Sequence, residues 1–246
     1  MQCPGQDSRY WDSRAIFEAQ CPKCGHSVEF FKDDASRKCT NCGTRMLNPA
    51  NDFGCAAYCP YAEQCLGTLP PELLAKKKEL LKDRVAMEMK RYFGDDFRRI
   101  GHANRVASHA EVIGKAEGSN PAITLITAYL HDIGIKEAER KFNSSAARYQ
   151  HQEGPPVARE ILTRLGADPA LIEEVCDIIG HHHTPRPEES LNFKVLYDAD
   201  LITNLEEEHP DKAAHQEHFQ KIIARSFLTK SGAALAQKVL LTGDAR

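Results

Sequence analysis

The sequence predicts a mainly α-helical protein with a small cysteine-rich unit near its N-terminal end. Eight of the nine cysteines precede residue 70, ten of the eleven histidines follow residue 100, and from Pro70 onward apolar residues recur at helical spacing. The 246 residues, 41% hydrophobic and 27% charged, suffice for one sizeable core and a minor second unit, and they exclude a disordered chain. A boundary near residue 70 gives a cysteine-rich segment, 1–70, and a helical domain, 71–246.

The first segment is rich in Gly, Pro, Asn and Asp and shows no helical period. Cys21-Pro-Lys-Cys24-Gly and Cys39-Thr-Asn-Cys42-Gly are two Cys-x-x-Cys knuckles with fourteen residues between them. Such knuckles place four thiolates tetrahedrally around one metal, and the glycines let the backbone turn beneath the sulfurs. Residues 19–45 resemble zinc-ribbon proteins, which implies zinc at these four cysteines and a short hairpin from Val28, Phe30 and Phe31 between the knuckles. Cys55, Cys59 and Cys65, joined by Cys3, make a second four-thiolate set for zinc or an iron–sulfur cluster, the alternative being loop cysteines without metal. Cys176 sits with Ile172, Val175 and Ile179 at helical spacing and reads as a small buried hydrophobe.

Helices follow. Pro70-Pro71 opens a pattern running through about Phe93, with Leu73, Leu74, Leu80, Leu81 and Val85. Residues 95–117 carry Ile100, Ala103, Ala107 and Ala110; residues 121–133 carry Ile123, Leu125, Ile126, Leu130 and Ile133 and stop at Gly134. A helix over 155–165 takes Pro155 and Pro156 in its opening turn, and Asp168-Pro169 reads as a cap leading Leu171 to Ile179. Residues 191–207, 211–229 and 232–241 complete the set.

Charge and hydropathy remove several functions. With 32 Lys+Arg against 35 Asp+Glu the net charge is -3, which gives no electrostatic bias toward nucleic acid or anionic lipid. The longest apolar stretch, Ala122 to Leu130, is interrupted by Thr124 and Thr127 and falls short of the roughly 20 residues that span a bilayer. Residues 1–20 contain Asp7, Asp12 and Glu18 and no apolar run, unlike a secretory leader, so the cytoplasm is the expected compartment. Thiols there stay reduced, which favours metal over disulfides.

His131-Asp132 ends an otherwise apolar helix, with Asp132 on the face of Leu125 and Ala128. An unpaired carboxylate carried into an apolar interior is expensive, and a metal ion resolves the cost. His102 shares a stripe with Val106 and Ile113, and Asp200 lies one turn beyond Leu196 and one before Asn204. His102, His131-Asp132 in its Leu-His-Asp-Ile-Gly context, and Asp200 in Val-Leu-Tyr-Asp-Ala-Asp resemble, in order and helical setting, the HD-domain superfamily of metal-dependent phosphohydrolases over residues 95–205.

That resemblance implies a helical bundle whose His102, His131, Asp132 and Asp200 hold a divalent metal: Mn, Fe, Co, Ni, Zn or Mg. His181-His182-His183 looks like the paired histidine of two-metal HD proteins, closest to the HD-GYP branch, so Asp132 would bridge to a second ion on His181 or His182, with His151 as a further ligand. The spacing from His151 to Gly154 is one residue shorter than that branch's pattern and its Gly-Tyr-Pro signature is absent, so cyclic dinucleotide hydrolysis is not expected. His183 reads as an ordinary polar residue at a helix C-terminus; His109, His209, His215 and His218 read as packing or solvated side chains.

A bound metal lowers the pKa of water and offsets charge on phosphoryl oxygens, so the implied activity, hydrolysis of a phosphomonoester or phosphodiester, needs no protein nucleophile. The resemblance makes His131 and Asp132 the catalytic pair; Arg105 and Lys136 are candidates for steadying phosphate, the alternative being solvated surface cations, and Asn204 is a candidate donor to a ligand. The expected substrate is a nucleotide or other small phosphorylated metabolite, with the cysteine-rich head available to a protein partner. Two alternatives stay open: di-iron oxygenase chemistry on the same scaffold, and a non-catalytic nucleotide-binding module sensing metal or redox state.

Overall fold

Two hairpins make up the described part of the N-terminal unit. In the computed structural model, which describes residues 16–32, 34–50, 62 and 79–242, β1 (Ile16–Gln20) pairs antiparallel with β2 (Ser27–Phe31), and β3 (Ser36–Lys38) with β4 (Arg45–Leu47). Strand alternation sends Val28 and Phe30 inward to join Cys21, Cys39 and Met46, with Phe17 stacked on Phe30 at 5.9 Å between ring centroids. The buried Asn48 amide donates to the Phe31 and Asp34 carbonyls at 3.0 and 2.9 Å, tying the second hairpin to the first. So few apolar side chains make a marginal core, and a crosslink through the cysteines suits it.

The expected hairpin between the knuckles is not what forms. Each knuckle is instead the turn of its own hairpin, Cys21–Cys24 between β1 and β2 and Cys39–Cys42 between β3 and β4. Gly25 and Gly43 adopt φ of +71° and +70°, the left-handed conformation that closes each turn and that other residues adopt only at a cost. The second thiol set, Cys3, Cys55, Cys59 and Cys65, lies outside the described residues.

The chain divides into Met1–Leu80 and Leu81–Arg246, and the boundary expected near residue 70 falls in a stretch outside the described residues. The second unit is helical: α1 (Leu81–Phe93), α2 (Phe97–Glu117), α3 (Pro121–Leu130), α4 (Ile135–Phe142), α5 (Ala147–Arg164), α6 (Pro169–Ile179), α7 (Leu191–Glu208), α8 (Gln216–Ser226) and α9 (Lys230–Ala236). A mainly helical fold beside a small cysteine-rich unit is therefore borne out. The apolar α3 is central, packing against α1, α2, α6 and α7. Asn120, Asp168 and Ser190 cap α3, α6 and α7 by accepting hydrogen bonds from first-turn amides. No helix among the described residues is long and apolar enough to cross a membrane.

Four expectations need correction. Helix α3 stops at Leu130, and residues 131–134 form a turn. Helix α4 is too short for a periodic pattern to register, with only Ile135 and Ala138 buried. Helix α5 begins at Ala147 rather than at Pro155, so both prolines lie inside it and deprive the His151 and Gln152 carbonyls of their helical donors. Tertiary contact offsets that loss: a Cβ on Gly134 would lie 2.5 Å from the Gly154 nitrogen and 2.6 Å from the Gln150 carbonyl oxygen, so the 131–134 turn and α5 meet backbone to backbone. Gly134 has φ −74°, so close approach, not a left-handed cap, is what requires glycine there.

The fourth concerns 211–229, which divides into a short turn, Lys212–His215, the helix α8 and a loop before α9. The loop is pinned by Asp198, a fully buried carboxylate on α7. It accepts the Leu228 and Thr229 amides at 2.8 Å each and the Thr229 hydroxyl at 2.7 Å. Asp198→Ala strands these donors and is expected to destabilise the fold by about 3 kcal/mol, read as a lower midpoint in urea unfolding.

Candidate metal centre

Four side chains from three places in the bundle converge. His102 comes from the second turn of α2, His131 and Asp132 from the turn after α3, and Asp200 from the middle of α7. His102 Nε2 lies 3.2 Å from His131 Nε2 and 3.1 Å from Asp200 Oδ1, His131 Nε2 lies 3.5 Å from the same oxygen, and Asp132 Oδ2 is 3.8 and 3.5 Å from the two imidazoles. His131 Nδ1 must donate, because its partner at 2.8 Å is the Ala128 carbonyl; His102 Nδ1 donates to Glu207 at 2.8 Å. Both rings thus turn Nε2 toward two carboxylates, an arrangement that is repulsive unless a positive charge sits among them.

Asp132 also faces a second group. Its Oδ1 lies 3.7 Å from His182 Nε2, and His182 Nδ1 donates to the Ile179 carbonyl at 2.8 Å, so Nε2 presents a lone pair. Only 2% exposed, His182 has no hydrogen-bond partner for that nitrogen among the described residues. His151 on α5 and His183 complete this set, with ligand atoms within 4.8 Å of one another, as they are for His102, His131 and Asp200. An orphaned buried imidazole nitrogen beside a carboxylate that faces both donor groups is what a divalent cation would satisfy, held by His102, His131, Asp132 and Asp200 or by His151, His182 and His183.

The electrostatics fit the same picture. Burial by itself would discharge His131, yet Asp132 and Asp200 outweigh it and hold its imidazolium up at about 9. Burial opposes ionisation of Asp132 as well, but His131 and His182 pull it down to about 2, and Asp200 is likewise held well below the carboxylate range. In the second group burial, helped by the neighbouring imidazole of His182, depresses His151 and His183 to about 4 each. They are neutral ligands at neutral pH, while the two carboxylates carry the charge that a cation neutralises.

The sequence reading of the consecutive histidines is revised. His181 turns away: its Nδ1 donates to the Asp177 carbonyl at 2.6 Å, its Nε2 faces Glu189 at 3.0 Å, and its ring stacks on Phe193. His183, read as an ordinary helix-end residue, takes the place instead. Arg105 pairs with Glu207 at 2.5 Å, and Lys136 donates to the Tyr92 carbonyl at 2.9 Å, so neither is free for phosphate. A cavity of about 340 Å³ opens beside His102 and Asp132, and its cations are Arg98 and Arg99. The sequence signal for them was available, two arginines about one turn before an inward histidine, but surface arginines are too common to single out. Asn204 lines the same cavity, whereas His109 pairs with Glu206 and His209, His215 and His218 cluster around Phe219.

The four knuckle cysteines form a separate centre. Cys21 and Cys42 sulfurs are 3.6 Å apart, as are those of Cys24 and Cys39. A tetrahedron with bonds of about 2.3 Å has edges of about 3.8 Å, whereas a disulfide needs about 2.05 Å. The Thr44 hydroxyl and amide hold the Cys42 thiol down at about 6. This group can hold a metal ion.

The HD domain family model matches residues 99–205, the stretch that contains His102, His131, Asp132 and Asp200, and the family resemblance is borne out. The match supports a metal-dependent hydrolase at the level of the superfamily. A crystal structure of a predicted HD superfamily hydrolase from an uncultured Thermotogales bacterium is similar over 63% of this chain and 83% of that one, with 25% identity and a TM-score of 0.48. None of the curated proteins matches the chain.

Glu207 was not singled out in the sequence, yet it orients His102 and is itself held by Arg105. Glu207→Gln keeps the shape but weakens that charged hydrogen bond, and manganese affinity measured by calorimetry is expected to fall about 10-fold or more.

Proposed function

We propose that the helical unit is a two-metal phosphoric ester hydrolase. The observation that carries this reading is the Asp132 carboxylate, with one oxygen turned to the His102, His131 and Asp200 group and the other to His182. His102, His131, Asp132 and Asp200 would hold one divalent ion; His151, His182, His183 and the far oxygen of Asp132 would hold the other. When bound, such ions make water nucleophilic near neutral pH and draw off charge accumulating on phosphoryl oxygens.

The chain's own residues supply position. In the reaction an oxygen of water bonds to phosphorus, the ester P–O bond breaks, and the alcohol leaves with a proton as phosphate is formed. Arg98, which has no ion pair among the described residues, stands in the cavity wall where it can orient the phosphoryl group, while Arg99 is committed to Asp96 and Glu139. Asn204 offers an amide on the same wall. For the cysteine head we propose a structural zinc, because four thiolates close the coordination sphere and leave no position for a substrate.

Turnover of p-nitrophenyl phosphate and bis(p-nitrophenyl) phosphate by manganese-loaded protein tests the reading. Asp132→Ala is expected to lower the rate by more than about 100-fold while circular dichroism is retained. Oxygen uptake by iron-loaded protein with no ester hydrolysis would replace the proposal with an oxygenase, and nucleotide binding without turnover would replace it with a regulatory module.

A further inference from the structure

We infer that the cavity beside the metal centre accepts a small hydroxyl-rich phosphoester, of the sugar phosphate or polyol phosphate class, and that Gln150 reads a hydroxyl of its leaving group. The inference rests on the hydrolase reading and adds the substrate class to it. Gln150 is 8% exposed and lines the cavity that also contains His102 and Asp132. Its amide nitrogen donates to the Ser145 carbonyl at 2.6 Å, which fixes the orientation of the group and makes the other end an acceptor. That acceptor, Oε1, is buried and has no partner. Buried carbonyl oxygens are rarely left so, and a donor brought by a ligand would satisfy this one.

Three side-chain atoms among the described residues share this condition. The metal reading accounts for His182 Nε2, and the Tyr92 hydroxyl belongs to a different cavity, lined by Glu137, Lys141 and Glu153. Gln150 is the one beside the reacting centre that the metals do not explain.

The rest of the wall points the same way. Asp96 and Glu207 are occupied by Arg99 and by His102 with Arg105. Among the described residues the Ser145 hydroxyl, the Asn204 amide and the Arg98 guanidinium remain uncommitted, and Ile135 is the single apolar side chain in the lining. A nucleobase is bound by a flat apolar or aromatic wall, and this cavity offers none. Phe97, 76% exposed and next in sequence to Arg98, does not line it. At about 340 Å³ the space is near the small end of ligand sites.

The test compares kcat/KM of the full-length, manganese-loaded protein for ribose 5-phosphate, glucose 6-phosphate and glycerol 3-phosphate with that for the four nucleoside 5′-monophosphates, using p-nitrophenyl phosphate to report whether the centre hydrolyses esters at all. The expected result is a preference for the hydroxyl-rich esters of at least about 10-fold, reduced about 10-fold in Gln150→Leu mainly through KM, and partly reduced in Ser145→Ala, where the side chain is exposed and folding does not depend on it. Preference for nucleotides, above all one that falls in Phe97→Ala, would overturn the inference, as would a preference that both Gln150→Leu and Ser145→Ala leave unchanged. Should p-nitrophenyl phosphate not be turned over, the hydrolase reading fails separately, and calorimetry decides the substrate class: ribose 5-phosphate heats that weaken in the variants support it, and absence of binding sinks it.

Discussion

One carboxylate in the wrong solvent organises the helical unit. Asp132 follows a helix that is apolar on nearly every side, and its two oxygens face imidazoles whose other nitrogens are tied to carbonyl oxygens or a carboxylate. Lone pairs and negative charge therefore converge in a space largely screened from water, and the fold is tolerable only with compensating positive charge. Protons supply it in part, as the raised His131 shows. A divalent cation would supply it more completely, because the groups that could hold one combine imidazole nitrogens with carboxylate oxygens.

The scaffold holds that unfavourable meeting in place with interactions that are themselves unambiguous. Gly134 lets the His131-Asp132 turn touch α5 backbone to backbone, and this brings His151 toward His182 despite two prolines in the same helix. Asp198, two residues before Asp200, faces the opposite way and anchors the loop ahead of α9; a Cβ on Gly232 would lie 2.2 Å from its carboxylate. Helix α7 thus uses one aspartate for packing and another for the metal centre. Glu189 holds His181 and the Arg186 amide, so the segment after α6 is fixed while His182 points inward.

How much of this the sequence disclosed depends on whether a residue's direction is set by helical phase. His102 and Asp200 each sit within a helix among apolar neighbours at helical spacing, so their inward direction could be read; Asp132 lies two residues past the end of α3, and with His131 still in helical conformation the phase of the helix carries over to it. His181, His182 and His183 sit at a helix end, where each successive residue rotates into a different environment and the turn geometry decides which of them face the centre. Periodicity is silent there, and the expected choice between His181 and His182 missed His183. Arg105 and Lys136 were near the motifs in sequence, but Glu207 and Tyr92, far away along the chain, claim them. The unpartnered oxygen of Gln150 is invisible without coordinates, since it exists only because Ser145 takes the other end of the amide.

The two metal-binding groups divide the chemistry by donor type. Four thiols spaced like the edges of a tetrahedron would use every coordination position of a soft or borderline ion, an arrangement suited to crosslinking the small core around Phe30. Imidazoles and carboxylates, by contrast, form two incomplete sets beside a cavity, and the positions they leave unfilled are the ones a substrate oxygen or water can take. Harder divalent ions suit such donors. The difference in donors allows the two centres to be loaded with different ions in the same chain.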